Sequence, residues 1–263
     1  MKKSIIILVF IAIITGSFKF QQIEIKGNFK YFTTDNIGNI FAVTDKNDIV
    51  KFNKFGVKKA EINIKVLGDV TSIDAVNPFE IYVFYRDYGK LMYFDNNLNN
   101  LGETDLLKTL GLNNIQVVCR SFDNGFWFVD PENLKLKKCD KKGNLLSESV
   151  NISTLTDTII SPQSLTDDGK FVYLKSGNNK LMKFDVLANY INTFSLPAFS
   201  TFQVKDENIL LKTNDSYLVF NTSTLETFKF KYQFENNYLN IRNEGKILFL
   251  HDSTGIKLVE LKD

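Results

Sequence analysis

Six times along this chain a polar turn leads into a β-rich run, a second turn, and a second run. That second run ends in an apolar, mostly aromatic residue followed by an acid or amide. The first runs align on Ile40, Ile81, Phe126, Phe171, Ile209 and Ile247, at spacings of 41, 45, 45, 38 and 38 residues. A period near forty with strand-like content is a repeat signature. It predicts a ring of small sheets, one per repeat, which is an all-β β-propeller.

Within a repeat the second strand is apolar at nearly every position, as in Phe126-Trp127-Phe128-Val129. A strand with one wet face would alternate, so both faces of these strands are expected to be covered by neighbouring blades. The 24 Phe and 10 Tyr suit the wedge-shaped spaces between twisted sheets. The third strands give a second register: Phe52, Phe94, Cys139, Phe184, Phe220 and Val259, followed by Asn53, Asp95, Asp140, Asp185, Asn221 and Glu260. Asp and Asn at a strand end bond their own backbone two residues on, so a hairpin-turn role is expected for them rather than ligand binding.

The chain ends soon after its sixth third-strand, while Phe20 to Lys26 is a strand-like run before the first repeat. Supplying the missing fourth strand of the last blade from the N-terminus would pair two loose edges and hold the ring shut. The expected fold is therefore a six-bladed propeller of four-stranded antiparallel blades over residues 18–263, closed by an N-terminal strand. Residues 1–17 read as an export signal: Lys2 and Lys3, an apolar run from Ile5 to Ile14, then the small residues Thr15-Gly16-Ser17. The apolar run is about half of the ~20 residues a membrane span needs, so no stable span is expected after cleavage. The expected location is periplasmic or extracellular; an uncleaved N-terminal tether is the alternative.

The turns and strand openings resemble the six-bladed propellers of bacterial exported proteins, broadly of the NHL and YWTD kind. That resemblance covers nearly the whole mature chain, is architectural, and carries no functional residues across. It implies a fold that hosts binders, scaffolds, hydrolases and lyases alike.

Charge is balanced, with 32 basic and 30 acidic residues, and the three arginines (Arg86, Arg120, Arg242) fall in different repeats. Nucleic acid is not an expected partner, because phosphate contacts need clustered cations. His251 is the sole histidine, read as a satisfied or solvent-facing residue at a strand end. Asp45-Lys46-Asn47-Asp48 and Asp252-Ser253-Thr254-Gly255 have oxygen ligands but lack the loop spacing of a calcium site, so no metal or other cofactor is expected. Cys119 and Cys139 fall two strands apart in one blade, which sets them roughly 9–10 Å from each other, too far for a disulfide. Buried free thiols are expected.

For catalysis the inner strands offer Asp74, with Asp69 and Asp157 in the loops before them, and no second acid at a matching offset. Asp74 and Arg120 are expected to pair as a structural ion pair across neighbouring inner strands. The most unusual surface element is Tyr85-Arg86-Asp87-Tyr88-Gly89, where Arg flanked by aromatics has the composition of a binding hot spot. The candidate binding residues are thus Arg86, Asp87, Tyr88 and Arg120, with Asp74 as a weak catalytic candidate. These features point to an exported, non-enzymatic module that binds a protein or an envelope glycan on one rim. The alternative is a carbohydrate-active hydrolase or lyase with an acidic channel site.

Overall fold

The computed structural model describes residues 22–156 and 159–261, so the export signal read over residues 1–17, the start of the Phe20 run and Asp157 lie outside the described residues. Twenty-four strands among the described residues form six four-stranded antiparallel sheets. The chain opens with β1 (Ile23–Lys26) and then builds one blade per repeat. Blade 1 holds β2 (Phe29–Thr34), β3 (Ile40–Thr44), β4 (Ile49–Phe52) and β5 (Lys58–Ile62). Blade 2 holds β6 (Ser72–Asp74), β7 (Ile81–Tyr85), β8 (Lys90–Phe94) and β9 (Asn100–Asp105), followed by a short helix, α1 (Leu106–Leu110). Blade 3 holds β10 (Val118–Arg120), β11 (Phe126–Asp130), β12 (Lys135–Cys139) and β13 (Leu145–Glu148). Blade 4 holds β14 (Pro162–Asp167), β15 (Phe171–Ser176), β16 (Lys180–Asp185) and β17 (Tyr190–Ser195). Blade 5 holds β18 (Phe199–Lys205), β19 (Asn208–Thr213), β20 (Tyr217–Asn221) and β21 (Thr227–Lys229). Blade 6 holds β22 (Asn240–Glu244), β23 (Ile247–Asp252) and β24 (Gly255–Glu260), with β1 as its outer strand.

The ring closes as the loose ends of the sequence require. β1 runs antiparallel to β24, with Ile23 opposite Leu258 and Lys26 opposite Gly255. Gly255 has φ +150, and a Cβ there would lie 2.1 Å from the Ile25 carbonyl oxygen, so only glycine lets the two strands approach. Ile25 is buried with Ile256, Leu258 and Phe249 in one cluster that also contains Phe29, Phe32 and Ile40 of blade 1. The closing strand therefore joins the first blade to the last through packing as well as through its backbone ladder.

The repeat register holds with two one-residue corrections. Ile40, Ile81, Phe126 and Ile209 pair with Phe52, Phe94, Cys139 and Phe220. In blades 4 and 6, however, Val172 and Leu248 are the residues opposite Phe184 and Val259, while Phe171 and Ile247 sit one step earlier. Val172 and Leu248 are fully buried; their neighbours are only half-buried.

The turn acids behave as expected. Asp95, Asp140 and Asp185 each accept the backbone N–H groups two and four residues on, and a third bond from the Asn side chain at the latter position. Asn53 accepts the backbone N–H groups two and four residues on, and Asn221 those two and three residues on. The left-handed slot three residues after the cap is Gly56 and Gly143 in two turns, but Leu98 and Ala188 in two others. Both of those side chains are buried, so packing offsets a backbone cost of about 1 kcal/mol.

These turns also tie blade to blade. The Lys51 ammonium donates to the Asn96 carbonyl, just past the Asp95 cap of the next blade, at 2.5 Å. Lys138 makes the same reach to the Val186 carbonyl at 3.2 Å. Between blades 2 and 3 the link is Thr104, whose hydroxyl donates to the Lys141 carbonyl at 2.8 Å. Cys119 and Cys139 are buried free thiols, as their strand assignment requires. Among the described residues no helix is long and apolar enough to cross a membrane.

Candidate functional site

In an antiparallel blade the turn after the first strand and the turn after the second lie at opposite ends, which divides the candidate residues between two rims. Arg86, Asp87 and Tyr88 form a single 3-10 turn between β7 and β8. Gly89 closes it at φ +57, where a Cβ would overlap Leu107 of α1 at 2.2 Å. Tyr85 is buried beneath the turn and Tyr88 is exposed. The Arg86 backbone N–H donates to the Thr71 hydroxyl at 3.0 Å, which ties the turn to the loop leading into β6. Arg120, by contrast, ends the inner strand β10 and belongs to the other rim. The four proposed binding residues are not brought together.

The rim that carries Arg120 is the richer one. Its short loops join each inner strand to the second strand of the same blade and surround the mouth of the axial channel. In blades 1 to 3 these loops expose Ile37, Val76, Phe79 and Phe122, with Phe79 78% exposed. A depression beside the mouth is lined by Ile37, Val76, Phe79 and Arg120 together with Asn36, Asn77 and Pro78. Single exposed apolar residues are ordinary; four on three consecutive loops are not. None of these apolar residues stands out in the sequence, because each turn between strands holds only one or two of them. Only the circular order makes them neighbours.

Inside the mouth lies a cavity of about 270 Å³. Five carboxylates line it (Asp74, Asp167, Asp168, Asp206 and Glu244) against two cations, Lys205 and Arg242. Asp167 is thus an acid in the same cavity as Asp74, but it lies four residues before Phe171 where Asp74 lies seven before Ile81. The loop after the inner strand has three residues in blade 4 and six in blade 2, which hides the likeness: Asp167 faces Val172 and Asp74 faces Tyr82.

Both acids act as clamps on blade 3. Asp74 accepts the Arg120 backbone N–H at 3.0 Å and the Val76 N–H at 3.2 Å. The expected ion pair is replaced by this backbone bond, since the Arg120 guanidinium turns to its own loop and donates to the Asn124 side chain at 2.8 Å and the Phe122 carbonyl at 3.2 Å. Asp167 accepts from the Trp127 indole at 2.8 Å, the Phe122 N–H at 3.1 Å and the Gly169 N–H at 2.7 Å. Burial pushes both carboxyl pKa values up, and the donated N–H bonds oppose that shift. Trp127 is core, as its strand implies, but its N–H is also the partner of a channel acid.

On the far side of the mouth Glu244 bridges three blades. It accepts from the Thr34 hydroxyl at 2.7 Å and the Gln203 amide at 2.8 Å, and Lys205 lies 3.3 Å away. Arg242 donates its Nε to the Thr34 hydroxyl at 2.8 Å, and burial pulls its pKa down against the pull of Glu244. Arg242 and Arg120 lie on inner strands while Arg86 is on the opposite rim, so the three arginines do not converge.

His251 departs from its expected role. It is 1% exposed, neither solvent-facing nor satisfied, and neither ring nitrogen makes a hydrogen bond of good geometry. Its ring stands edge-on to Phe32 at 5.8 Å and tilted to Phe29 at 6.5 Å. Burial pulls its pKa down, opposed by the Phe29 backbone. The two oxygen-rich turns are internally bonded: Asp48 takes the Thr44 hydroxyl and the Asn63 amide, and Asp252 takes the Thr254 N–H and hydroxyl. Among the described residues no group of three or more His, Cys, Asp or Glu is arranged to hold a metal ion.

No protein-family model matches the chain, and no curated protein matches it in sequence. Among solved structures it is similar to the Neurospora crassa Pan2 WD40 domain, with TM-score 0.61 and 10% identity over 90% of this chain and 92% of that one. It is also similar to a streptogramin B lyase, with TM-score 0.60 and 13% identity over 92% of this chain and 87% of that one. At such identities the likeness is one of fold, and with the six-sheet topology it makes this chain an all-β, six-bladed propeller.

Proposed function

We propose that this chain is a non-enzymatic binding module that engages a protein partner through the rim around the channel mouth, after export by its N-terminal signal. The observation that carries the reading is the exposed set Ile37, Val76, Phe79 and Phe122 on three consecutive loops beside Arg120. Aromatic and arginine side chains at the centre of an apolar patch are the usual anchors of an interface. The carboxylate-rich mouth beside them favours a partner with a basic side chain near its own apolar contacts. An envelope glycan remains the second class of ligand, since aromatic faces and carboxylates also suit sugars. The Arg86–Tyr88 turn offers one exposed aromatic on the opposite rim and is the weaker contact face.

The test is site-specific photo-crosslinking in the native envelope from position 79, with position 88 as the comparison. A protein adduct formed from position 79 and lost when Ile37→Asp/Phe122→Asp is added supports the reading, provided that variant keeps its unfolding midpoint. An adduct formed only from position 88, and lost when Arg86→Ala/Asp87→Ala is added, would move the interface to the other rim.

A carbohydrate-active hydrolase or lyase is the second reading, and the channel acids Asp74 and Asp167 favour it. Against it, both carboxylates of the pair are engaged by backbone N–H groups, which suits a structural clamp better than proton transfer. Loss of a detected glycan turnover in a folded Asp74→Asn variant would decide for the enzyme.

A further inference from the structure

A second cavity, away from the channel, opens between blades 5 and 6. Across blade 5 the residues Gln203, Leu210, Val219 and Phe228 stand directly opposite one another on successive strands, so they form one row on the face turned toward blade 6. The inner end of the row is covered, with Leu210 buried against Ile241 and Leu248 in one cluster. Its outer end is not, and Phe228 is 52% exposed. The reason is local. β21 has three residues, where the outer strands of the other blades have four to six. The segment that follows is then drawn to the rim, where Phe230, Tyr232 and Phe234 pack with Tyr217 and Tyr238. What remains is a groove of about 750 Å³, within the range of small-molecule sites.

The groove has a chemical polarity. Its floor and walls are Leu210, Val219, Phe228, Phe230 and Leu261. Its lip carries Lys205, Lys229 and Lys231 against the single carboxylate of Asp206. Lys205 is already near Glu244, but Lys229 and Lys231 are exposed and have no side-chain partner among the described residues. We propose that this groove binds a free amphipathic anion, a linear alkyl chain lying along the Leu210–Val219–Phe228 row with its anionic head between Lys229 and Lys231. The row crosses two strand spacings, roughly 9–10 Å, which accommodates a chain of about eight or more carbons laid across the blade. An apolar floor with an excess of cations at one edge selects such a ligand over a neutral lipid or a polyanion.

The test is calorimetric titration of the folded chain with dodecanoate, kept below its micelle concentration. One saturable site per chain is expected. Binding should weaken roughly tenfold or more for hexanoate, because it leaves about two of the eight carbon positions of the row empty and each buried methylene contributes about fourfold in affinity. Similar weakening is expected for dodecan-1-ol, for Lys229→Glu/Lys231→Glu and for Phe228→Asp, all at exposed positions. Leu101→Ser, in blade 2, should leave binding unchanged. Absence of a saturable site would overturn the proposal, as would equal affinity for dodecyltrimethylammonium or unchanged affinity in both groove variants. If sedimentation gives a dimer that dodecanoate does not dissociate, and no site titrates, the groove is the seat of a second copy instead.

Discussion

The Asp167 carboxylate links two blades through a buried indole, and its removal gives the most quantitative check on the described packing. Asp167→Ala takes the acceptor away from Trp127 Nε1 and from the Phe122 N–H at once. Trp127 is fully buried, so no water replaces the lost partner. A hydrogen bond to a charged group contributes about 1.5–3 kcal/mol, and a stranded buried donor costs about 1–3 kcal/mol. The Phe122 bond lies nearer solvent and counts for less. The expected loss is roughly 3–5 kcal/mol, a large share of the 5–15 kcal/mol that typically holds a domain together. Trp127→Phe removes the donor but leaves the carboxylate its bonds from Phe122 and Gly169. It should cost roughly 1–3 kcal/mol, mostly from the space the indole vacates. Because the two changes remove the same bond, the double variant should be less destabilised than the sum by about 1.5 kcal/mol or more. Urea unfolding followed by far-UV circular dichroism measures all four proteins without relying on the sole tryptophan. A loss below 1 kcal/mol for Asp167→Ala, or strict additivity in the cycle, would refute the clamp.

Two further outcomes follow from burial. The His251 pKa is pulled below the unfolded value near 6.5, so its contribution is fully present above that pH and declines as the pH falls through it toward the folded value. His251→Phe, set between Phe29 and Phe32, should raise stability by about 1 kcal/mol at pH 7.5 and flatten the loss between pH 7.5 and 5.5 in urea unfolding; an unchanged slope refutes this. Burial also pushes the Cys139 thiol up to about 11 and the Cys119 thiol well above its ordinary range. Neither should react with a disulfide reagent in the folded protein at pH 8, and both should react in urea; fast labelling of the native chain would contradict the packing.

The architecture was readable because its determinants are local and repeated. A cap such as Asp140 needs only its own next four residues, so the turn is written in one short stretch of sequence. The phase of the strands was less readable at Phe171-Val172 and Ile247-Leu248. A strand covered on both faces is apolar at consecutive positions, and nothing in the pattern says which of two large residues faces the partner. A shorter loop after the inner strand, three residues in blade 4 against six in blade 2, hid Asp167 from a comparison with Asp74. The rim was hidden for another reason. Ile37, Phe79 and Phe122 are some forty residues apart, and only the ring sets their loops side by side. Arg86 and Arg120 show the converse: they looked related by residue type, and the alternation of strand direction sends them to opposite ends. The groove between blades 5 and 6 depends on what β21 fails to cover, which no motif announces.

The closing strand also imposes an order in time. Ile23 finds its partner only when Leu258 exists, 235 residues later (258 − 23). At a synthesis rate of about 5–20 residues per second the interval is roughly ten to fifty seconds. Throughout it, the open edge destined for β24 and the first face of blade 1 have no native neighbour. Blades 1 to 5 can each form their own hairpins as they emerge, yet the circle is complete only with the final blade. A chain built this way is assembled from short-range pieces and finished by one long-range event. Its slowest folding phase should therefore be the joining of its two ends, and a ribosome-bound chain lacking the last blade should remain open to proteases at β1.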